Sequence, residues 1–399
     1  MLAHDSAIWL ISDNLDTQEM NVSANRVVEI RKNSLRGKLL AGSGKSAVSL
    51  AIGEPGFVTP GCIVQAQAYA LAQGLTHYAA QTGDPLLVKA ILKHVVPEQS
   101  SLAGSNNILI THGGTAGLSC SILGLVNPGD VVLIENPTYS LYADAIRLAG
   151  GVVKSFGRHS DGGLDFEEIR SLAPAAKMII VCQPSNPAGT ILSAAEWRKL
   201  AQVARESDLI VLSDEAYDGI VFDGCEFVSA LSVPELADRL IVCRTFSKKY
   251  AMTGWRVGYL VGTAELIAAA STVHRTFNGA VNTANQRAAA VALEQASQDA
   301  EAMRVEFQER RALMVSCLQD KGPLQFAIPS GAFYLWVGYP EKFGDSQEMA
   351  DKCLSKGVHV RPGSEFGPGG KYRIRLSFAP DRECIVEGCR RFLSAFKGC

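Results

Sequence analysis

The segment RTFSKKYAMTGWRVG combines an amine, hydroxyl groups and a guanidinium at short, fixed spacing. Thr245, Ser247 and Lys248 follow the apolar run LIVCR, and Arg256 comes eight residues after Lys248. An aldehyde cofactor that bears a phosphate requires such a set, because the amine forms an imine while the hydroxyls and the planar guanidinium hold the phosphate oxygens. The alternative interpretation is a surface loop rich in basic and hydroxyl residues.

Polar side chains also follow two other apolar runs. Asp214 and Tyr217 lie in LIVLSDEAYDGI, where a carboxylate directly after an apolar run is costly unless a partner compensates its charge. A protonated ring nitrogen would be such a partner, and the protonated ring would act as an electron sink for a carbanion. A helix N-cap is the alternative role for Asp214. Asn186 lies in QPSNPAGT, which is a turn by composition.

Gly113, Gly114 and Thr115 follow a predicted strand and open a predicted helix. Backbone N–H groups and the helix dipole favour an anion at such a position, although the glycine pair is also compatible with a plain tight turn. Tyr139, in ENPTYSLY, lies just past a predicted strand end. An exposed ring there could stack on a pyridine ring, and a core tyrosine is the alternative.

Together these motifs resemble those of the class I/II aminotransferases, which depend on pyridoxal-5′-phosphate (PLP), from about Val48 to Phe396. The resemblance implies that PLP is the cofactor and that it forms a Schiff base, an aldimine, with Lys248. Lys249 is not the matching lysine, because only Lys248 lies eight residues before Arg256. The family often has Ser at Thr245, and the hydroxyl is retained here.

The resemblance also assigns the roles of the cofactor site. Asp214 and Lys248 are catalytic, Tyr139 stacks on the ring, and Tyr217 donates to the phenolic oxygen. Tyr78, in THYAAQTGDP, matches a tyrosine that reaches the phosphate of the neighbouring subunit in similar dimers. The cofactor-binding positions implied by the resemblance are Tyr78, Gly113, Gly114, Thr115, Tyr139, Asn186, Asp214, Tyr217, Thr245, Ser247, Lys248 and Arg256.

Three positions frame the substrate by the same resemblance. Gly53, in LAIGEPGFVTP, matches a backbone donor to the substrate carboxylate, and Asn186 also contacts the substrate. Arg373 and Arg375 would share one face of a regular strand, so spacing does not choose between them, and the pattern RLSFA selects Arg375 as the clamp of the α-carboxylate. Thr115 stands where some similar aspartate aminotransferases carry Lys, which counts against a dicarboxylate substrate unless another residue replaces that lysine.

The elements that would position these residues alternate along the middle of the chain. Short apolar runs predict strands at Asn107–Thr111, Val131–Glu135, Met178–Cys182, Leu209–Ser213, Leu240–Arg244 and Val257–Val261. Helical patterns lie at Gly114–Val126, Tyr142–Ala149 and Ala194–Glu206. This alternation predicts an α/β fold, with a mostly parallel sheet covered by helices.

A different pattern begins near Asp299. A charged amphipathic helix to Lys321, a helix near Gln347–Lys356, the strands VHVRP and YRIRLSFA and a closing helix indicate a smaller α+β unit. The predicted domains are a large PLP-binding domain at residues 56–298 and a small C-terminal domain at 299–399. Residues 1–55 are predicted to pack with the small domain, which gives an aspartate aminotransferase-like architecture.

Composition excludes several classes of function. The chain has 399 residues, a formal net charge of −2 and no charged tail, which argues against nucleic-acid binding. No apolar run reaches the roughly 18 residues that cross a membrane, and the first residues lack the basic start of a signal peptide. The ten cysteines show no metal-ligand spacing and indicate reduced thiols, so no metal and a cytoplasmic location are predicted.

The predicted function is transfer of an amino group from an L-amino acid to a 2-oxo acid, with the freed Lys248 amine as general base and a homodimer as the assembly. A lyase, a cyclising synthase or an amino-acid oxidase on the same fold would share the cofactor motifs, and release of ammonia without a 2-oxo acid acceptor would reveal one. A non-enzymatic regulator would need a DNA-reading domain ahead of the fold, whereas the fold motifs begin at Gly53.

Overall fold

The computed structural model describes residues 23–34, 47–159 and 162–397. Within these ranges the helices are α1 (Asn25–Asn33), α2 (Gly61–Ala72), α3 (Pro85–His94), α4 (Gly113–Leu125), α5 (Leu141–Leu148), α6 (Phe166–Leu172), α7 (Ala194–Glu206), α8 (Phe246–Lys249), α9 (Ala264–Phe277), α10 (Thr283–Gln295), α11 (Ser297–Leu318), α12 (Ser346–Ser355) and α13 (Arg382–Ser394). The strands are β1 (Val48–Ser49), β2 (Ile108–Thr111), β3 (Val131–Glu135), β4 (Val152–Phe156), β5 (Ala176–Cys182), β6 (Ile210–Asp214), β7 (Leu240–Thr245), β8 (Gly258–Gly262), β9 (Tyr334–Gly338), β10 (Val358–His359), β11 (Arg361–Pro362) and β12 (Arg373–Ser377).

The largest sheet has the strand order β2-β8-β7-β6-β5-β3-β4. Neighbours from β4 to β7 run parallel, whereas β8 is antiparallel to both β7 and β2. Alternate residues of β5 face two separate clusters: Ile179 and Val181 pack with the core that contains α7, and Met178 and Ile180 pack with the core that contains α4 and α5. Burial on both faces explains the continuous apolar runs and confirms the predicted α/β fold.

A smaller sheet has the order β11-β12-β9, and its apolar residues pack with α11, α12 and α13 in a third core cluster. β1 pairs in parallel with β10, with Val48 beside Val358, and Leu50 is buried in the same cluster. These contacts connect the chain near residue 50 to its carboxyl-terminal part. The exact domain boundaries remain a prediction, and residues 1–22 and 35–46 of the N-terminal segment lie outside the described residues.

Most predicted elements agree with the structure to within one or two residues, and Val131–Glu135 and Ala194–Glu206 have the predicted bounds. The edge strand β4 was not predicted, because its sequence VVKSF mixes polar with apolar residues and most of it is exposed or half-buried. The segment VHVRP was predicted as one strand, but it forms two short strands that pair with different partners, β1 and β12. None of the described helices is both long and apolar enough to cross a bilayer.

The sheet brings several chain segments to one edge. β2, β3, β5, β6 and β7 all run in the same direction, because β8 reverses between β7 and β2. Their carboxyl ends therefore lie together, which is where open α/β sheets bind ligands. Gly258 on β8 permits close approach there, since a Cβ atom would lie 2.8 Å from the carbonyl carbon of Gly113 and 2.9 Å from the nitrogen of Gly114.

Candidate active site

A cavity of about 350 Å³ opens at this edge, within the size range typical of small-molecule sites. Residues from the sheet, from the loop after β1 and from the smaller sheet line it together. The lining includes Gly53, Gly114, Thr115, Tyr139, Asn186, Asp214, Tyr217, Thr245, Ser247, Lys248, Arg256 and Arg375 from the predicted site, and Ile52, Leu118, Cys182, Tyr334, Arg361 and Phe366 from outside it. No group of three or more potential metal ligands occurs in the described parts of the chain.

Lys248 lies on the short helix α8, directly after β7. Its Nζ donates to the carbonyl oxygen of Gly53 at 2.7 Å, so the amine lies inside the cavity. Burial lowers the pKa of Lys248 to about 8, against the opposing effect of the Glu54 carboxylate. The neighbouring Lys249 lies outside the cavity lining, with its Nζ 3.8 Å from the carboxylate of Asp218.

Asp214 ends β6 as a buried carboxylate. Its Oδ2 accepts from the hydroxyl of Tyr142 at 2.5 Å, and its Oδ1 accepts from the backbone nitrogen of Ala216 at 3.1 Å. Burial raises the pKa of Asp214 to about 6, and these hydrogen bonds lower it only in part. A buried carboxylate with a raised pKa at a cavity wall is suited to a cationic ligand group.

The amino terminus of α4 forms another end of the cavity. Gly113 has a φ of +75°, and His112 before it makes no side-chain capping bond to the helix. The guanidinium of Arg256 lies against this turn, since a Cβ atom at Gly113 would be 2.6 Å from its Nη2. The Oγ1 of Thr245 donates to the Oγ of Ser247 at 2.9 Å. The N–H groups at the start of a helix, two hydroxyls and a guanidinium are groups that can bind a phosphate.

Arg375 on β12 is held on several sides. Its Nη1 donates to the Oδ1 of Asn186 at 2.9 Å and its Nη2 donates to the carbonyl oxygen of Ala51 at 2.6 Å. The guanidinium carbon lies 4.1 Å from the ring centroid of Tyr334 and 4.9 Å from that of Phe366. Its Nε is buried and has no hydrogen-bond partner among the described residues. A buried, unpartnered donor on a fixed guanidinium is suited to a carboxylate.

Two predicted positions differ from the others in their placement. Tyr78 does not line the cavity, and the residue is 96% exposed. Gly113 is not among the lining residues, although its backbone packs against the guanidinium of Arg256, which does line the cavity. Arg373 also lies outside the lining, so the strand places only Arg375 at the cavity.

The structure adds residues that sequence reasoning missed. Tyr142 bonds Asp214 from α5, and its ring meets that of Tyr139 edge to face at 5.7 Å. Tyr334 bonds the hydroxyl of Tyr217 at 2.9 Å. Both lie in apolar segments, where a tyrosine looks like a core residue. The only signal for Tyr142 was its spacing of three residues from Tyr139, which places both near the start of one helix.

Comparison with known proteins agrees with this geometry. The sequence pattern described as aminotransferase class I and II matches residues 45–392. The arginine–pyruvate transaminase AruH of Pseudomonas aeruginosa is 34% identical over 352 residues, 87% of this chain and 89% of that protein. The aspartate aminotransferase of Streptomyces avermitilis is 32% identical over 371 residues, 89% of this chain and 90% of that protein.

The fold is also similar to those of solved structures. The aspartate aminotransferase of Thermus thermophilus with maleate superposes with a TM-score of 0.82 at 30% identity, over 93% of this chain and 94% of that chain. These findings confirm the resemblance stated from the motifs and the aspartate aminotransferase-like fold. The named relatives differ in substrate at similar identity, so the substrate is not transferred from them. The chain belongs to the class I and II aminotransferases, and it is an aminotransferase enzyme.

Proposed function

We propose that this aminotransferase uses PLP bound in the cavity, with Lys248 as the lysine that bonds the cofactor aldehyde. Asp214 carries the proposal, because it is a buried carboxylate at the cavity wall with a pKa raised to about 6 and no ion pair within the described residues. Asp214 would hold the protonated pyridine nitrogen of PLP as its countercharge. The lowered pKa of Lys248 supports the same assignment, since an amine reacts with an aldehyde only when it is unprotonated.

The remaining groups match the other parts of the cofactor. The turn at Gly113, Gly114 and Thr115 would hold the phosphate together with Thr245, Ser247 and Arg256, and Tyr139 would stack on the ring. Asn186 and Tyr217 would donate to the phenolic oxygen. When bound, PLP supplies an electron sink that stabilises negative charge at the substrate Cα.

The substrate is proposed to be an L-amino acid, with a 2-oxo acid as the second substrate. The unpartnered Nε of the clamped Arg375 supports its role as the α-carboxylate site, with Gly53 as a backbone donor beside it. The amine of Lys248, once free, would take the proton from the Cα atom of the substrate and deliver it to the C4′ atom of the cofactor. The hydrogen bond from Lys248 to Gly53 supports this role, because it places the amine beside the proposed carboxylate donor in the loop after β1.

The assembly and location are part of the proposal. We propose a homodimer in which Tyr78 reaches the phosphate of the partner subunit, and a large domain of residues 56–298 between an N-terminal segment and a small domain of residues 299–399. Tyr78 is exposed in the single chain, so its ring is accessible to a partner subunit. We propose a cytoplasmic location, with neither nucleic acid nor membrane as a partner.

Borohydride reduction of the purified enzyme tests the cofactor assignment. Reduction should attach the cofactor irreversibly to one lysine, and peptide mapping should place it on Lys248. Lys249→Ala is the matched control, because it removes the adjacent amine and should leave the labelling unchanged. Labelling of Lys249, or an enzyme that binds no PLP, would refute the proposal.

A further inference from the structure

Tyr334 is a cavity residue on β9 that has no assigned role. Its side chain is almost completely buried, and it touches three residues that belong to separate segments: Gly53 in the loop after β1, Tyr217 after β6 and Arg375 on β12. The proposed function gives a role to each of the three. A single side chain therefore contacts both the proposed substrate clamp and the proposed partner of the cofactor's phenolic oxygen.

The hydroxyl of Tyr334 forms one half of a pair. It lies 2.9 Å from the hydroxyl of Tyr217, and the two rings meet nearly edge to face at 5.7 Å. Burial raises the pKa of both phenols, so both keep their protons near neutral pH. Two hydroxyls share one proton in the bond between them, and the second proton remains to donate elsewhere. If Tyr334 donates, the proton of Tyr217 is available to an acceptor in the cavity.

The aromatic ring of Tyr334 contacts the proposed carboxylate clamp. The guanidinium carbon of Arg375 lies 4.1 Å from the centroid of this ring and 4.9 Å from the ring centroid of Phe366. The backbone at Gly53 packs directly against the hydroxyl, because a Cβ atom at Gly53 would overlap it. The ring and the hydroxyl thus have separable contacts, one with the clamp and one with Tyr217.

We propose that Tyr334 is a positioning residue that links the carboxylate clamp to the cofactor's phenolic oxygen. Its hydroxyl donates to Tyr217 and so directs the proton of Tyr217 to that oxygen, while its ring holds Arg375 in place to bind the substrate carboxylate. The inference rests on the proposed function, because it requires PLP in the cavity and the α-carboxylate at Arg375.

Tyr334→Phe removes the hydroxyl and keeps the ring. A donor to the phenolic oxygen competes with the proton on the Lys248–cofactor linkage, so weaker donation leaves that proton more tightly bound. We expect the pH midpoint of the visible absorbance change of the PLP-bound enzyme to rise by roughly 0.3–1 pH unit, since the bonds of such a pair strengthen each other. The KM for the amino donor should change by no more than about twofold, because the ring contact remains.

Two further variants separate the parts of the proposal. Tyr334→Leu removes the ring as well, and the KM for the amino donor should rise about tenfold as the guanidinium loses its aromatic support. In a Tyr217→Phe background, Tyr334→Phe should produce no additional shift of the absorbance midpoint, because it acts through the Tyr217 hydroxyl.

Tyr339→Phe is the matched control. Tyr339 is also buried, its hydroxyl has no hydrogen-bond partner in the part of the chain that the structure describes, and it does not line the cavity. Its substitution should leave both the absorbance midpoint and the KM unchanged. An equal shift in Tyr334→Phe and Tyr339→Phe would indicate a general effect of lost hydroxyls and would overturn the inference.

The inference also fails if Tyr334→Phe keeps the wild-type midpoint, if its shift persists in the Tyr217→Phe background, or if Tyr334→Leu keeps the wild-type KM. These results differ from failure of the proposed function itself. In that case the wild-type enzyme would show no visible absorbance with PLP, or Lys248→Ala would retain the wild-type absorbance and its pH dependence.

Discussion

Arg375 and Arg373 lie two residues apart on β12, and Arg375 alone of the two lines the cavity. If Arg375 binds the α-carboxylate, Arg375→Ala should lower kcat/KM for amino acids by roughly 10² or more, because the buried substrate charge would lose its partner. The loss should be much smaller for the matching amine, which has no carboxylate. Steady-state kinetics with an amino acid and its amine measure the difference.

Arg373→Ala is the control for that comparison. Arg373 is half-buried at the start of β12, its backbone pairs with Gly338 of the neighbouring strand β9, and it does not line the cavity. The substitution Arg373→Ala should lower kcat/KM much less than Arg375→Ala. Arg373 lies about 7 Å along the strand from Arg375 and therefore too far away to bind the same carboxylate. A larger loss from Arg373→Ala, or equal losses for amino acid and amine, would show that the clamp has been assigned to the wrong arginine.

Asp214 and Lys248 make the stability of the cofactor-free protein depend on pH. Burial raises the pKa of Asp214 from 3.8 to about 6, so its contribution to stability is full below pH 3.8 and is lost as the pH rises to about 6. Burial lowers the pKa of Lys248 from 10.5 to about 8, so its contribution is full above pH 10.5 and is lost as the pH falls to about 8. Near pH 7 the cofactor-free protein should therefore carry both charges at a cost in stability.

Asp214→Asn should stabilise the cofactor-free protein at pH 7 while it impairs the enzyme. The difference between the two pKa values corresponds to about 3 kcal/mol, which is the largest gain expected in the free energy of unfolding. The gain should vanish near pH 3.5, where Asp214 is protonated in both states, and denaturant unfolding at the two pH values measures it. The PLP-bound variant should lose activity by about 10² or more. Destabilisation at pH 7, or near-normal turnover, would contradict the role of this carboxylate.

The residues that could be predicted are those with a chemical signature in the sequence. Lys248, Asp214 and Asn186 each follow an apolar strand, and the structure places all three at the cavity. Tyr142 and Tyr334 could not be predicted in the same way, because their hydroxyls act on partners 72 and 117 residues away in the chain. Only the folded structure brings those partners together.

At the scale of elements, a buried ion pair joins the loop after β6 to β7. Glu215 is fully buried and accepts from Nε and Nη2 of Arg244 at 2.9 and 2.7 Å, and from the backbone nitrogen of Ala230 at 2.8 Å. The Nη1 of Arg244 donates to Asp218 at 3.2 Å. The pair thereby connects the loop that follows Asp214 to the strand that leads to Lys248.

Glu215→Gln should destabilise the protein strongly. It leaves the buried guanidinium of Arg244 without its nearest countercharge, which typically costs about 3–5 kcal/mol. Glu167→Gln is the matched control, because its ion pair with Arg170 at 3.1 Å is largely exposed and such pairs are worth about 0–1 kcal/mol. The shift of the denaturant midpoint measures both variants. A loss in Glu215→Gln as small as that in the control would show that the pair does not hold these elements together.

Elements could be predicted where burial is uniform or strictly periodic. The strands β5 and β7 each contain a run of consecutive apolar residues, MIIVC and LIVC, and α7 begins with the capping box of Ser193 and Glu196. These features make the three elements recognisable in the sequence. β10 and β11 are two residues each and change partners at Val360. This change of pairing partner leaves no periodic signal in the sequence, because it depends on where β1 and β12 lie in the folded chain.

At the scale of the whole molecule, the cavity wall is assembled from distant parts of the chain. Gly53 comes from the loop after β1, and Asp214 comes from the end of β6 in the largest sheet. Lys248 comes from the helix α8 after β7, and Arg375 comes from the smaller sheet. The loop at Gly53 is tied to the segment before Arg256 by hydrogen bonds, one from Thr253 to Glu54 and one from Thr59 to the carbonyl oxygen of Ala251 at 2.7 Å. These hydrogen bonds join the segment with the proposed substrate residue Gly53 to the segment with the proposed phosphate residue Arg256.

The proposed homodimer predicts that active sites are shared between subunits. Tyr78 is 96% exposed in the single chain and lies outside the cavity, so it can serve a phosphate only in a partner subunit. In a heterodimer of a Tyr78→Phe subunit and a Lys248→Ala subunit, one site combines the intact Lys248 with the partner's Tyr78. Mixing with excess Lys248→Ala protein should therefore raise the activity per Tyr78→Phe subunit toward the wild-type value. Wild type mixed with Lys248→Ala is the control, because each wild-type subunit keeps one complete site and its activity should not change. No gain on mixing, or a fully active monomer in sedimentation, would refute the shared site.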